Sequence, residues 1–274
     1  MPLYNPIFSP IAANSFLIDE LTDSVFSARG LRKLYGGYDG PCLAARNQLG
    51  IVADIPFDEL GKVDINAVAA LAGNGSTFVQ TLYDQCGSAH ASQLSPALQP
   101  LIYKDSAIIN ANGIPAISYR GQYLSGSIYG YYLPMHIMIV VLIPATTQGA
   151  FLKFGSISTG FGVGVGAGSW DAPGNQLVGQ RRTTSWIPSI SLDPNRTYLI
   201  EMYADSNVTI NYVNGNPVAT STGTITAVGT FFVGGNSVRN PSCYICEDIV
   251  FSGIISSSAR DKMISNICNA YGIF

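Results

Sequence analysis

Short strand-like segments separated by turn-forming residues fill most of the chain after residue 120. They cover residues 136–143, 151–156, 160–166, 176–182, 196–203, 207–213, 229–234 and 245–251. The connections include Asp193-Pro194-Asn195 and Asn214-Gly215-Asn216, which are rich in turn formers, and Asn-Gly is a strong hairpin signal. Because no long helical pattern interrupts the series, the spacing disfavours a parallel α/β fold and predicts an all-β sandwich or jelly roll.

Two segments carry helical signals. Residues 64–73 predict a short helix with Asp64 as its N-cap and Gly73 as its C-terminal stop. Residues 258–271 predict a second helix, in which Ser258 and Asp261 form a capping box. Its apolar residues at helical spacing are Met263, Ile264, Ile267, Cys268 and Tyr271. We expect this C-terminal helix to pack on the outside of the sandwich.

The N-terminal residues differ in composition from the rest of the chain. Residues 1–26 contain Pro2, Pro6 and Pro10 and then a short apolar and acidic segment, which predicts an extended N-terminal arm. Docking onto a partner subunit and a disordered terminus are both consistent with this composition. Residues 27–274 contain no internal repeat, so we expect one β-sandwich domain there.

Charge and hydropathy exclude several classes of function. The net charge is −3 and only 11% of the residues are charged, so the basic face that nucleic-acid binding needs is not expected. The N-terminus has no basic and apolar leader, which predicts no signal peptide and a protein made in the cytoplasm. The longest apolar run, 137–143, ends at Pro144 and is too short to span a membrane. It predicts a strand that is buried on both faces.

The five cysteines are sparse. Cys243 and Cys246 have the spacing of a metal knuckle, but no second Cys or His pair accompanies them. Positions three apart in a strand also point to opposite faces. We therefore predict small buried side chains with at most one disulfide, and neither a metal nor a cofactor.

Several stretches, taken together, resemble a known family. Residues 30–46 (GLRKLYGGYDGPCLAAR) and 78–91 (FVQTLYDQCGSAHA) are similar to lectin-like modules of bacteriophage structural proteins, as are 99–102 and 112–116. The tail, from 247–251 through 258–260 to 270–273, resembles the closing strand and helix of concanavalin A-like or laminin-G-like jelly rolls. The resemblance covers residues 29–274.

This resemblance implies a jelly-roll β-sandwich that is a non-enzymatic component of a bacteriophage virion. Such a component would be a head decoration, a fibre or a tail appendage. The implied partners are other virion proteins, further copies of the chain and surface glycans, with neither nucleic acid nor membrane insertion.

The Tyr83-Asp84-Gln85 motif also resembles the β-sandwich catalytic domain of fungal α-L-arabinofuranosidases, which gives an enzymatic alternative. That family places its nucleophile in a D-x-E-N-x-L-F-S-G stretch and its acid in a G-G-D-N-S-N stretch. Residues 160–170 contain no carboxylate, and Asn236 puts an amide where the acid would be. Because glycoside hydrolysis commonly uses two carboxyl groups, we expect no catalytic residues. A glycoside hydrolase or a free carbohydrate-binding module remains the alternative.

The candidate carbohydrate-binding residues are polar groups after one strand and scattered aromatic side chains: Asp84, Gln85, His90, Trp170, Trp186 and Tyr131. Asp84 is also well placed to cap the backbone amides of the turn that follows it. The aromatic residues suit either a sugar platform or a subunit interface. Glu247 and Asp248 are adjacent in a strand, so they face opposite ways and cannot form one acid–base pair. His136 is expected to be a partly buried residue with its hydrogen bonds satisfied.

Overall fold

The computed structural model describes most of the chain. The described residues are 16–21, 24–127, 133–144, 149–154, 161–166, 174, 176–181, 185–222, 230–235 and 241–273. The side chains of residues 150, 153, 161, 166, 178–181, 185–189 and 221 are outside the description.

Strands dominate the described residues. The strands of the N-terminal half are β1 (Val25–Gly30), β2 (Leu43–Asn47), β3 (Val52–Ile55), β4 (Thr77–Leu82), β5 (Ala91–Ser92), β6 (Leu101–Lys104), β7 (Ala107–Ile108), β8 (Asn110–Ala111), β9 (Ile114–Pro115), β10 (Ile117–Arg120) and β11 (Leu124–Ser127). Those of the C-terminal half are β12 (Met135–Leu142), β13 (Gly149–Phe154), β14 (Phe161–Gly166), β15 (Gln176–Arg181), β16 (Ser185–Ser191), β17 (Thr197–Ala204), β18 (Val208–Val213), β19 (Asn216–Thr222), β20 (Thr230–Val233) and β21 (Ser242–Ser252). The helices are α1 (Ile65–Ala72) and α2 (Ser257–Tyr271). The all-β prediction with a C-terminal helix is confirmed.

The strand pairings form two antiparallel layers. The front sheet has the order β3-β2-β4-β5-β11-β20-β13-β14-β15-β16. The back sheet has the order β21-β12-β17-β18-β19, and both β1 and β10 pair with the other edge of β21. Pairing of β6 with both β4 and β10 joins the layers along one side, so the sandwich is nearly closed.

Alternation along the strands separates two apolar clusters. Ile137, Ile139 and Val141 of β12 face the core between the sheets, while Met138 and Val140 lie in a second cluster that includes residues of α2. Since every residue of β12 is buried, the prediction of a strand covered on both faces is confirmed. The back sheet is therefore covered by α2 on its outer face.

The cysteines follow the same alternation. Cys243 belongs to the core between the sheets and Cys246 to the cluster beneath α2, so the two thiols lie on opposite sides of β21. All five cysteines are free. In the described part of the chain, no cluster of His, Cys, Asp and Glu is arranged as a metal site, and no helix is long and apolar enough to cross a membrane.

Both helices begin with a side-chain cap. Asp64 accepts a hydrogen bond from the Ala67 amide and Gly73 ends α1, as predicted. For α2, the predicted start at Ser258 is wrong. Ser256 is the N-cap, because its hydroxyl accepts a hydrogen bond from the Ala259 amide. The predicted apolar stripe is present, with Met263, Ile267 and Tyr271 buried.

We expect Ser256→Ala to lower the free energy of unfolding by about 1 kcal/mol, because an amide in the first turn of α2 loses its acceptor. Urea unfolding followed by circular dichroism measures this change. Ser257→Ala is the matched control, since Ser257 is exposed inside the helix and alanine favours helix there. Equal effects of the two substitutions would contradict the cap assignment.

Candidate functional site

In the described part of the chain, one face of the sandwich has no helix packed on it. The open face is the outer face of the front sheet, defined by Asp54, Thr81, Ser92, Ser125 and Phe232, which pair in a continuous row through Ala44. Their chain neighbours, including Ile55, Leu82, Ala91, Leu124 and Phe231, point into the core. The row side chains are exposed or half-buried. A ligand can therefore contact several strands at once.

Hydroxyl groups and aromatic rings line the middle of the open face. The hydroxyls of Thr81 and Ser92 are 3.0 Å apart, and Ser125 is the next residue in the row. Tyr123 and Phe232 meet edge to face, with their ring centroids 6.0 Å apart. Aromatic carbon next to hydroxyl groups suits a ligand that is apolar on one side and rich in hydroxyls at its edge.

A carboxylate, a phenol and an imidazole meet at one end of the open face. We call Asp54, Tyr83 and His90 the Asp54 cluster. The Tyr83 hydroxyl donates to Oδ1 of Asp54 at 2.8 Å, and the Tyr83 and His90 rings are edge to face with centroids 5.2 Å apart. Asp54 is exposed, while Tyr83 and His90 are half-buried. The Asp54 carboxylate is therefore open to solvent, and His90 is partly so.

Strand pairing explains how these residues come together. β2 lies between β3 and β4, and Ala44 pairs with Asp54 on one side and Thr81 on the other. The Tyr83 hydroxyl therefore reaches Asp54 across β2. Of the three residues, only His90 was among the predicted site residues. Asp54 and Tyr83 were not, because they lie 29 residues apart in the chain.

The hydrogen bonds fix which groups donate and which accept. The Asp84 amide donates to Nδ1 of His90 at 3.0 Å, so the proton of the neutral imidazole is on Nε2. Partial burial, with the hydrogen bond to Asp54, raises the pKa of Tyr83 to about 12. Tyr83 thus remains a neutral donor over the physiological range, and it orients the Asp54 carboxylate. The cluster offers a ligand one accepting carboxylate and one donating imidazole.

Asp84 and Gln85 lie just beneath this cluster and have no access to the surface. Asp84 accepts hydrogen bonds from the amides of Ala28, Cys86 and Ala89 at 2.9 to 3.1 Å. The predicted turn-capping role of Asp84 is confirmed. Gln85 accepts from the Leu34 amide and donates to the Arg32 carbonyl. Both side chains are buried and hold the loop that carries His90.

The predicted aromatic residues are largely outside the described part of the chain. Tyr131 and Trp170 are not among the described residues, and neither is Asn236. The backbone of Trp186 lies in β16 and its side chain is outside the description. Through backbone pairing, the row of the open face continues from Phe232 by way of residues 153, 162 and 180 to Trp186.

The other buried carboxylates are held in the interior. Glu247 binds Arg32 and the Tyr271 hydroxyl, while Asp248 binds Arg29 on the opposite side of β21. The prediction that these adjacent carboxylates face opposite ways is confirmed. Glu201 binds His136 and Arg260, and His136 is buried with its hydrogen bond satisfied, as expected. Since all three carboxylates are almost inaccessible to solvent, they stabilise the fold and do not contact a ligand.

Comparison with solved structures gives relatives in fold. An arabinofuranosidase complexed with arabinofuranosyl-α-1,2-xylobiose matches with a TM-score of 0.70, 16% identity, 93% of this chain and 64% of its own. A GH54 α-L-arabinofuranosidase mutant soaked with 4-nitrophenyl α-L-arabinofuranoside matches with a TM-score of 0.66, 17% identity and the same coverages. A Trypanosoma rangeli sialidase matches with a TM-score of 0.50, 14% identity, 69% of this chain and 31% of its own. No family model and no curated protein sequence matches.

These matches correct the interpretation drawn from the sequence. The prediction of a non-enzymatic bacteriophage virion component is wrong, because the structures that match over 93% of the chain are arabinofuranosidases. The β-sandwich part of the expected resemblance is supported, and the link to phage structural proteins is not. The chain spans 64% of the length of the matched arabinofuranosidase chains, and it has the β-sandwich fold found in them.

Proposed function

We propose that the chain is a glycoside hydrolase domain that binds a furanosyl-substituted glycan on the open face and hydrolyses its glycosidic bond. The observation that carries the proposal is the Asp54 cluster, in which an exposed carboxylate is oriented by Tyr83 next to the donating Nε2 of His90. The matched structures that contain arabinofuranosyl ligands support the choice of substrate class.

In this proposal water attacks the anomeric carbon while the bond from that carbon to the leaving oxygen breaks. Asp54 is the general base that accepts a proton from the attacking water, and the leaving oxygen takes a proton from the solvent that reaches the open face. A base needs an accessible oxygen and a fixed orientation, and Asp54 has both, since Oδ1 is held by Tyr83 while the side chain is exposed. Nε2 of His90 donates a hydrogen bond to a sugar hydroxyl. The aromatic pair Tyr123 and Phe232 provides the apolar surface against which the sugar ring packs.

The expected result of Asp54→Asn is a loss of kcat of about 100-fold or more, because an amide cannot accept the proton. Release of 4-nitrophenol from 4-nitrophenyl α-L-arabinofuranoside measures the rate. Tyr83→Phe keeps the Asp54 carboxylate but removes the hydrogen bond that orients it. We therefore expect kcat to fall by about 10-fold, which corresponds to the loss of one hydrogen bond. Asp261→Asn, an exposed carboxylate on α2, is the matched control and is expected to keep full activity.

Two outcomes would overturn the proposal. One is native protein that binds the arabinofuranoside but releases no nitrophenol. The other is an Asp54→Asn variant that is as active as the Asp261→Asn control.

A further inference from the structure

A second concave site opens beside the open face and is not used by the Asp54 cluster. We call it the Arg120 cavity. It has a volume of about 390 Å³, and its lining includes Phe78, Lys104, Asp105, Ser118, Arg120 and Tyr244. Its floor follows a cross-strand row from Phe78 of β4 through Leu101 of β6 and Ser118 of β10 to Tyr244 of β21. The cavity thus lies where the two sheets of the sandwich join.

The cavity carries excess positive charge. The Arg120 guanidinium donates to the Tyr244 hydroxyl at 2.9 Å, and among the described residues no carboxylate lies within ion-pair distance of it. Lys104 is 3.9 Å from the adjacent Asp105, and both side chains are more than half exposed, so this contact is weak. Two cations against one acid favour an anionic ligand, and the remaining guanidinium N–H groups suit a carboxylate.

The turn that carries Lys104 is a tight hairpin turn. Asp105 and Ser106, which connect β6 to β7, have φ angles of 52° and 60°, as the common two-residue turns between antiparallel strands require. The turn fixes Lys104 and Asp105 at the rim of the cavity.

Aromatic rings make the cavity suitable for more than a simple anion. Phe78 and Tyr244 stand at opposite ends of the floor, and the Arg46 guanidinium lies over the Phe78 ring, 4.9 Å from its centroid. Ser118 and Gln122 add a hydroxyl and an amide to the lining. Flat carbon surface, hydrogen-bonding groups and a cation together match a sugar ring that carries a carboxylate.

We propose that the Arg120 cavity binds a hexuronate residue, so that the substrate is a glycan bearing both furanosyl and uronate groups. Only the furanosyl group of this substrate rests on the proposed function. The uronate site does not, because uronate binding can be measured without any hydrolysis. Arg120 pairs with the sugar carboxylate, Lys104 adds long-range attraction, and Tyr244, whose hydroxyl binds Arg120, contacts the ring.

Isothermal titration calorimetry with methyl β-D-glucuronide and methyl β-D-glucoside tests the inference, because the two glycosides differ only in the carboxylate. We expect the native protein to bind the glucuronide about ten-fold more tightly, with an affinity that falls as salt rises. Arg120→Gln is expected to remove this preference and Lys104→Gln to reduce it. Lys262→Gln on α2, whose side chain is 73% exposed, is the matched control and should behave as the native protein. Inorganic phosphate serves as a competitor that has the charge without the ring.

The outcomes separate this inference from the proposed function. Equal affinity for glucuronide and glucoside, unchanged affinity in Arg120→Gln, or phosphate binding as tightly as the glucuronide would each overturn the uronate site. Arabinofuranoside hydrolysis without uronate binding would leave the proposed function in place and remove this inference. If the native protein binds the uronate, Arg120→Gln loses that binding and no hydrolysis is measured, the uronate site stays in place and the proposed hydrolase function is removed. Unchanged thermal unfolding of Arg120→Gln shows that the fold is intact, as expected for an exposed residue.

Discussion

Replacing Arg29 by methionine is expected to lower the free energy of unfolding by about 3–5 kcal/mol, because the substitution leaves the buried carboxylate of Asp248 without its partner. Nε and Nη2 of Arg29 both donate to Asp248, and Nη1 donates to the Ala89 carbonyl at 2.7 Å. The guanidinium also lies 4.3 Å from the centroid of the Phe231 ring. The Arg29 and Asp248 side chains are no more than 1% exposed, so water cannot replace the lost contacts.

A double variant identifies the cause of this loss. Arg29→Met combined with Asp248→Asn removes the buried charge as well as its partner, and should recover much of the stability that Arg29→Met alone loses. Lys262→Met is the surface control, since Lys262 pairs with Glu20 where both side chains are more than 70% exposed, and we expect an effect below about 1 kcal/mol. Urea unfolding gives all three values. If Arg29→Met is no more destabilising than Lys262→Met, the ion pair is not the contact that stabilises this part of the core.

Replacing Asp84 by alanine is expected to destabilise the fold by about 3 kcal/mol or more, since three backbone amides lose their acceptor and each unsatisfied buried donor costs about 1–3 kcal/mol. These amides belong to Ala28 of β1 and to Cys86 and Ala89 in the loop after β4. The substitution therefore weakens the attachment of the loop to the first strand, of which the hydrogen bond from the Gln85 amide to the Ala28 carbonyl remains. Asp84→Asn keeps one accepting oxygen and should fall between native protein and Asp84→Ala.

Asp39→Ala is the control for Asp84→Ala, because the Asp39 side chain is 98% exposed and its loss should change stability by no more than about 0.5 kcal/mol. Thermal unfolding and hydrogen exchange at Ala28 and Ala89 measure the effect. Full protection of these two amides in Asp84→Ala would show that Asp84 does not hold the loop. Because the same loop carries His90, Asp84→Ala should also weaken ligand binding at the Asp54 cluster.

The strands with a clear pattern could be predicted from the sequence. The uninterrupted apolar run 137–143, for example, marks most of β12, and the Asn214-Gly215 turn marks the hairpin of β18 and β19. β16 was missed because Pro188 interrupts it. Proline is tolerated there because, among the described strand pairings, β16 ends the front sheet. Strands of two residues, such as β5 and β8, are too short to show any alternation.

The site was harder to predict than the fold, because its residues are brought together by strand pairing. Asp54 is unremarkable in the sequence and Tyr83 stands out only as the first residue of the motif with Asp84 and Gln85. The two become a pair only because β2 lies between their strands. Asp84 was the opposite case, since the polar motif around it suggested a ligand, yet its carboxylate is used by backbone amides. The partners of Arg29 and Arg32 lie 219 and 215 residues away, a distance at which sequence patterns carry no information about contact.

Pairing of β1 with β21 has a consequence for the order of events on the ribosome. The two strands are joined at Arg29 and Asp248, which are 219 residues apart. At the usual elongation rate of about 5–20 residues per second, β1 emerges roughly 10–40 s before its partner has been made. During this interval its amides and the Arg29 guanidinium remain hydrated, and the back sheet cannot close. Completion of the sandwich is therefore a late step that must wait for residues 242–252.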